Sequence, residues 1–212
     1  MNHHLTVLLF MILVFVTATT AQQPAEPPVF TRADTLRGML TPARACYDVT
    51  YYHLDVRIDT LKKSLQGSNT ITFRAVDDFD RMQVDLFSNL NVDGITIDGK
   101  AATFERESNA VFVKLPAKVK KGTLHALKFS YSGVPQIAEN PPWQGGLTWR
   151  HDSEGNPWVC VTCQGTGASI WWPNKDHQSD EPDSMMISIT VPPGLEDVSN
   201  GKLRGITTLP DG

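Results

Sequence analysis

The sequence has no basic excess. Across 212 residues, 19 Lys and Arg are set against 23 Asp and Glu, giving a net charge of −4. A chain of that sign offers no field to gather phosphates, and no cationic run is longer than the Lys118–Lys121 cluster, so nucleic acid is not expected as a partner. Cysteine is scarce as well. Cys46, Cys160 and Cys163 can close at most one disulfide, so no disulfide framework carries the fold. Long apolar runs are missing. The longest, Leu5 to Val16, is twelve residues with only Thr6 polar, against the roughly 20 needed to cross a bilayer. Followed by Thr19-Thr-Ala21, it reads as a signal peptide over residues 1–21, which implies an exported protein, periplasmic or extracellular, with no membrane association once the signal is removed. Retention of the segment as an N-terminal anchor is the alternative.

Catalytic signatures are also lacking. The chain contains no H-E-x-x-H, no G-x-S-x-G, no phosphate-binding glycine-lysine loop and no G-x-G-x-x-G. Of six histidines, His3 and His4 fall in the signal, and His53, His125, His151 and His177 are scattered. Cys160-Val-Thr-Cys163 has the spacing of half a zinc site. It lies in Pro157–Gln164, however, which reads as a strand, where residues three apart face opposite ways, so the cysteines are expected to act as buried small hydrophobes. His177 sits in an acidic stretch, Asp176 to Glu181, read as a solvated loop whose carboxylates cap turns rather than as a metal site. No window carries a sustained i, i+3, i+4, i+7 apolar stripe, so any helix must be short.

What the sequence does have is period two. After an extended lead-in over residues 22–45, Tyr52, Leu54, Val56 and Ile58 alternate with His53, Asp55, Arg57 and Asp59. This is the pattern of a strand with one buried and one wet face. Ile71, Phe73 and Ala75 repeat it beyond the turn residues Lys62–Gly67, predicting a hairpin. Met82, Val84 and Leu86 alternate with Gln83 and Asp85 in the same way. Val92–Ile97, Ala102–Glu105, Val111–Leu115, Leu124–Tyr131 and Met185–Val191 supply further strands, with Asp98-Gly99 marking a tight hairpin turn. Short strands at this spacing predict an all-β fold, an antiparallel β-sandwich over residues 46–212. Between Val134 and Pro182 the texture changes: all five tryptophans (143, 149, 158, 171 and 172) gather there among glycines. A loop-rich aromatic region of this kind is where a β scaffold places function.

The stretch Cys163-Gln164-Gly-Thr-Gly-Ala-Ser-Ile-Trp-Trp-Pro173, continuing through Asn-Lys-Asp-His-Gln-Ser to Asp180-Glu181-Pro182, resembles the N-terminal domain of the aminopeptidase N family of zinc metallopeptidases, the gluzincins. Arg32–Gly38, Leu40-Thr-Pro42 and Tyr51–Asp59 are similar to the same domain of exported bacterial members. The resemblance implies a saddle-shaped antiparallel β-sandwich that covers a separate zinc-bearing catalytic domain. It also implies that Gln164 stands at the family position, Gln or Glu, that holds the free α-amino group of a peptide substrate. Zinc ligands and general base would belong to that other domain. This chain is then expected to hold no cofactor and to be inactive alone, with the peptide N-terminus and the downstream catalytic domain as its partners. The turn at Leu209-Pro-Asp-Gly212, after a strand-like Ile206–Leu209, fits a sandwich cut short at its C-terminal end. A rival reading is a free-standing carbohydrate- or protein-binding sandwich that uses Trp143, Trp149, Trp171 and Trp172 as a stacking platform, with packing in the core as the plainer role for those rings.

Overall fold

The computed structural model describes residues 29–210. The signal at residues 1–21 and the first part of the lead-in therefore lie outside the described residues. Every element belongs to the body that begins at Thr31; of the segment before it only Val29 and Phe30 are described, without secondary structure.

Two short helices come first, α1 (Arg32–Gly38) and α2 (Pro42–Ala45). The expected extended lead-in is thus corrected over residues 32–45. Thr31 starts α1 because its hydroxyl accepts from the Asp34 backbone N–H while the Asp34 carboxylate accepts from the Thr31 N–H at 2.8 Å, a reciprocal capping box. Pro42 opens α2, where a missing N–H costs nothing. Only Leu36 of α1 is a buried apolar residue, so no apolar stripe announces the helix.

Eleven strands follow: β1 (Tyr47–Asp59), β2 (Ser64–Ala75), β3 (Phe79–Asp85), β4 (Leu90–Ile97), β5 (Lys100–Ala101), β6 (Thr103–Glu107), β7 (Ala110–Val119), β8 (Leu124–Gly133), β9 (Gly146–His151), β10 (Pro157–Thr162) and β11 (Ser184–Thr190). They form a six-stranded sheet in the order β11-β1-β2-β8-β4-β5, a three-stranded sheet β3-β7-β6 and a two-stranded hairpin β9-β10. The all-β reading stands, and β1 alternates as expected, with Tyr52, Leu54 and Val56 buried and Asp55 and Arg57 exposed. The Asp98-Gly99 turn closes β4 on β5 with φ of 49° and 78°, the left-handed pair that a two-residue hairpin requires. The first hairpin turns earlier than the sequence implies: Asp59 accepts from the N–H groups of Leu61 and Lys62, and Ser64–Gly67 already belong to β2. Gly67 is there because a Cβ at that position would run into the Asp55 carbonyl of β1.

One pairing is not antiparallel. β11 joins β1 in parallel, from Tyr51↔Ser184 to Arg57↔Thr190. The chain reaches it after the long excursion from 134 to 183, and a connection of that length can return a strand in either sense, whereas a tight turn cannot.

A single core joins all three sheets. Leu54, Val56, Ile71 and Phe73 from the large sheet meet Met82, Val84, Val111 and Val113 from the small one, and Leu147 of β9 completes the cluster. The far side of the small sheet is covered too. Ala110 and Phe112 there pack with Leu36 and Ala43 of the two helices. This corrects the reading of β3 as half wet: Gln83 is fully buried and Asp85 nearly so, beneath the helices. Ile206–Leu209 forms no strand, and Ile206 is exposed.

Candidate functional site

Gln164 lies exposed on the turn that ends β10. The turn is tight: Cys163 O accepts from Thr166 N at 3.1 Å and from Gly167 N at 2.8 Å. Gly165 and Gly167 take φ of 72° and 90°, which a side chain resists. At Gly167 the constraint is doubled, since an added Cβ would overlap the Asp176 carboxylate.

The segment after this turn is pinned from beneath, and the pinning uses the motif residues. The Asp176 carboxylate accepts from the Ser169 hydroxyl at 2.6 Å and from its N–H at 3.2 Å. The Asp176 N–H donates to Asp85, whose carboxylate also receives Arg44 through Nη2 at 2.7 Å and Nε at 3.2 Å, and Gln83 at 2.8 Å. Burial pushes the Asp85 carboxyl up, and the Arg44 guanidinium opposes that shift. Arg44 also donates to Arg37 O and Met39 O, so this fully buried side chain ties the helices to β3. Arg37 in turn donates to Gly165 O at 2.6 Å. The turn bearing Gln164 is therefore held from the lead-in as well as from its own strand.

A second ion pair fixes the other end of the segment. Lys175 Nζ reaches Asp180 and Tyr47 O, each at 2.6 Å, over the Tyr47 ring. Asp180 also accepts from Val49 N, a strand-edge donor ahead of the point where β11 begins to pair. Both partners' side chains are buried. Between the two pairs, Asp85 and Asn174 exchange backbone hydrogen bonds at 2.8 and 3.1 Å. Asp176 and Asp180, read from sequence as turn-capping loop residues, are thus interior anchors. Among the described residues the His177 ring meets only Ser179, whose hydroxyl lies 2.9 Å from Nδ1.

The cysteines behave differently from one another. Cys46 is buried, and burial pushes its thiol up to about 12. Cys160 is exposed and Cys163 half-buried, so the expectation of buried hydrophobes fails for Cys160. All three are free thiols. Among the described residues no group of three His, Cys, Asp or Glu is placed to hold a metal, and the carboxylates of the motif are already engaged by Arg44, Lys175 and Ser169. These residues do not fit a zinc ion.

The tryptophans divide. Trp172 is buried with its ring edge-on to Tyr52, while Trp149 and Trp171 pack against the core. Trp143 and Trp158 are exposed. The four rings proposed as a platform therefore do not form one. A cleft of about 250 Å³ opens beside α1, lined by Leu36, Arg37, Phe87, Asn109, Ser169 and Asp176. Gln164 is outside it.

No family model and no curated protein matches the sequence. Solved structures do. An M1 zinc metallopeptidase from Deinococcus radiodurans is similar over 78% of this chain and 37% of its own, with a TM-score of 0.64 at 22% identity. A mutant M1 zinc metallopeptidase from the same organism, bound to a Tyr-Ser-Ala substrate, gives a TM-score of 0.63 at 22% identity over the same shares. Native leukotriene A4 hydrolase from Saccharomyces cerevisiae is similar over 80% of this chain and 26% of its own, with a TM-score of 0.57 at 18% identity. The chain has the fold of a portion of these enzymes and spans little more than a third of their length at most.

Proposed function

We propose that this chain is the N-terminal β-sandwich domain of an exported zinc aminopeptidase of the M1 type, and that Gln164 receives the free amine of the peptide substrate. The observation that supports this is the placement of Gln164: exposed on a turn that is held by Arg37 on one side and by the Asp85–Asp176 network on the other, in a fold shared with M1 enzymes. An amide oxygen accepts from an ammonium without bringing a full negative charge, so the contact orients the substrate without trapping it. Rigid support matters because an acceptor displaced by about an ångström loses much of its effect on rate. Zinc, which the described residues of this chain do not fit, would in such an enzyme be held by the catalytic domain, where it would supply Lewis-acid activation of the scissile carbonyl and of water. The sandwich covers that site and limits entry to chain ends.

The test is kinetic, in the full-length protein carrying this chain. Gln164→Ala is expected to lower kcat/KM for an amino-acid anilide by roughly ten- to a hundred-fold, the scale of one charge-assisted hydrogen bond of about 1.5–3 kcal/mol. Gln164→Glu, which restores an acceptor, should keep most of the activity. Because the side chain is exposed, neither change should move the melting temperature. An alanine variant with unchanged kinetics would overturn the assignment.

A further inference from the structure

The hairpin that leads to Gln164 has two unlike faces. Leu147, Trp149, Val159 and Val161 turn inward onto the core. By the two-residue period the opposite face carries Thr148 and Arg150 of β9 with Trp158, Cys160 and Thr162 of β10. Trp158 and Arg150 are direct cross-strand partners, and the indole is 61% exposed. Such partners hold their Cβ atoms about 5 Å apart, which makes one platform of an apolar ring and a cation.

Arg150 stands apart from the other arginines of the sheets and helices. Arg32, Arg37, Arg44, Arg74, Arg81 and Arg106 each donate to an acceptor, and Arg57 is engaged as well. Among the described residues Arg150 has no partner. Of the two carboxylates at the hairpin tip, Asp152 is occupied by the Asn156 side chain and by the N–H groups of Glu154 and Asn156, and the exposed Glu154 forms no ion pair with Arg150. An exposed guanidinium beside an exposed indole, with no anion of its own, is complementary to a carboxylate carried on an apolar chain.

The spacing sets the length of that chain. Six positions separate Trp158 from Gln164, roughly 20 Å in extended geometry and somewhat less because of the turn at Cys163. An extended peptide of about five or six residues covers the same distance. We propose that the outward face of β9–β10 is a second peptide subsite, in which Trp158 carries an apolar side chain and Arg150 binds the free C-terminal carboxylate of a short peptide whose amine sits at Gln164. The near end rests on the Gln164 reading above. The far end makes the site selective for short peptides with an unblocked C-terminus.

The experiment compares a six-residue apolar peptide as free acid and as C-terminal amide, using the full-length protein that carries this chain. The wild type is expected to show a KM about tenfold lower for the acid, the scale of one charge-assisted contact at a partly exposed site. Arg150→Ala should bring acid and amide to parity, Arg150→Lys should keep part of the preference, and Trp158→Ala should raise KM for both. Equal KM values in the wild type, or a preference that survives Arg150→Ala, would overturn the subsite. Unchanged anilide kinetics in Gln164→Ala would instead overturn the underlying reading, so the two failures are separable.

Discussion

Chemical character at single positions here follows from burial more than from residue type, and the three cysteines show it. Thiol reactivity tracks the thiolate, and burial suppresses the thiolate. Cys46, pushed up to about 12, is expected to resist alkylation until the protein unfolds. Cys163, raised by burial and by the nearby Asp176 charge, should react slowly, and the exposed Cys160 first. Mass mapping of iodoacetamide adducts over time checks the order, and early labelling of Cys46 would contradict the core described above. Gly167 is the other telling position. Alanine there meets both a left-handed φ of 90° and the Asp176 carboxylate. Gly167→Ala should therefore cost at least about 2 kcal/mol of stability in denaturant unfolding. On the proposed role of Gln164, it should also lower the activity of the full-length protein that carries this chain, because Asp176 cannot move without releasing Ser169.

At the scale of elements, the two helices of the lead-in are held by a buried charge pair as well as by a small apolar cluster. Leu36 and Ala43 supply that cluster with Ala110 and Phe112, while Arg44 donates to Asp85, Arg37 O and Met39 O from a fully buried position. Removing one member of such a pair strands the other in low dielectric, which typically costs about 3–5 kcal/mol, whereas replacing both by apolar residues is often near neutral. Arg44→Met is accordingly expected to destabilise strongly, and Arg44→Met combined with Asp85→Leu to recover only part of the loss, because Asp85 also accepts from Gln83 and from the Asp176 N–H. Calorimetry on the single and double variants checks this. A mild effect of Arg44→Met would mean that the helices are held by something else. Hydrogen exchange should also show α1 opening in the single variant.

For the whole molecule the exposed carboxylates set the response to acid. Hydrogen bonds from Thr31 hold Asp34 below the ordinary carboxylate range, Lys120 holds Asp78, Asn156 holds Asp152 and Arg32 holds Glu107. A carboxyl whose folded pKa is depressed binds protons more weakly folded than unfolded. Its contribution is complete above the unfolded pKa, about 4, and disappears as pH falls through the folded value. Burial raises Asp48 and Asp85 and so pulls the other way. With the lowered groups in the majority, the melting temperature should be nearly flat from about pH 8 to pH 5 and should fall below about pH 4. A rise in stability on acidification would show that the buried carboxyls dominate.

The sequence by itself determined the features that depend on near neighbours. Alternation from Tyr52 to Ile58 specified a strand and its inner face, since successive side chains must point to opposite sides of a sheet. Asp98-Gly99 specified a two-residue turn because only such residues accept left-handed φ cheaply. The stretch from Cys163 to Pro182 stood out by residue identity alone, and Gln164 with it. Tertiary structure decided everything that depends on residues far apart in the chain. Gln83 and Asp85 looked like the wet side of a strand because nothing local reveals that residues 32–45 fold over them. Asp176 and Asp180 looked like loop carboxylates, and Asp85 and Lys175 made them anchors. The parallel return of β11 and the pairing of Arg150 with Trp158 were likewise beyond local reading. Periodicity reports which way a side chain points, but what lies opposite it is settled only when distant segments pack.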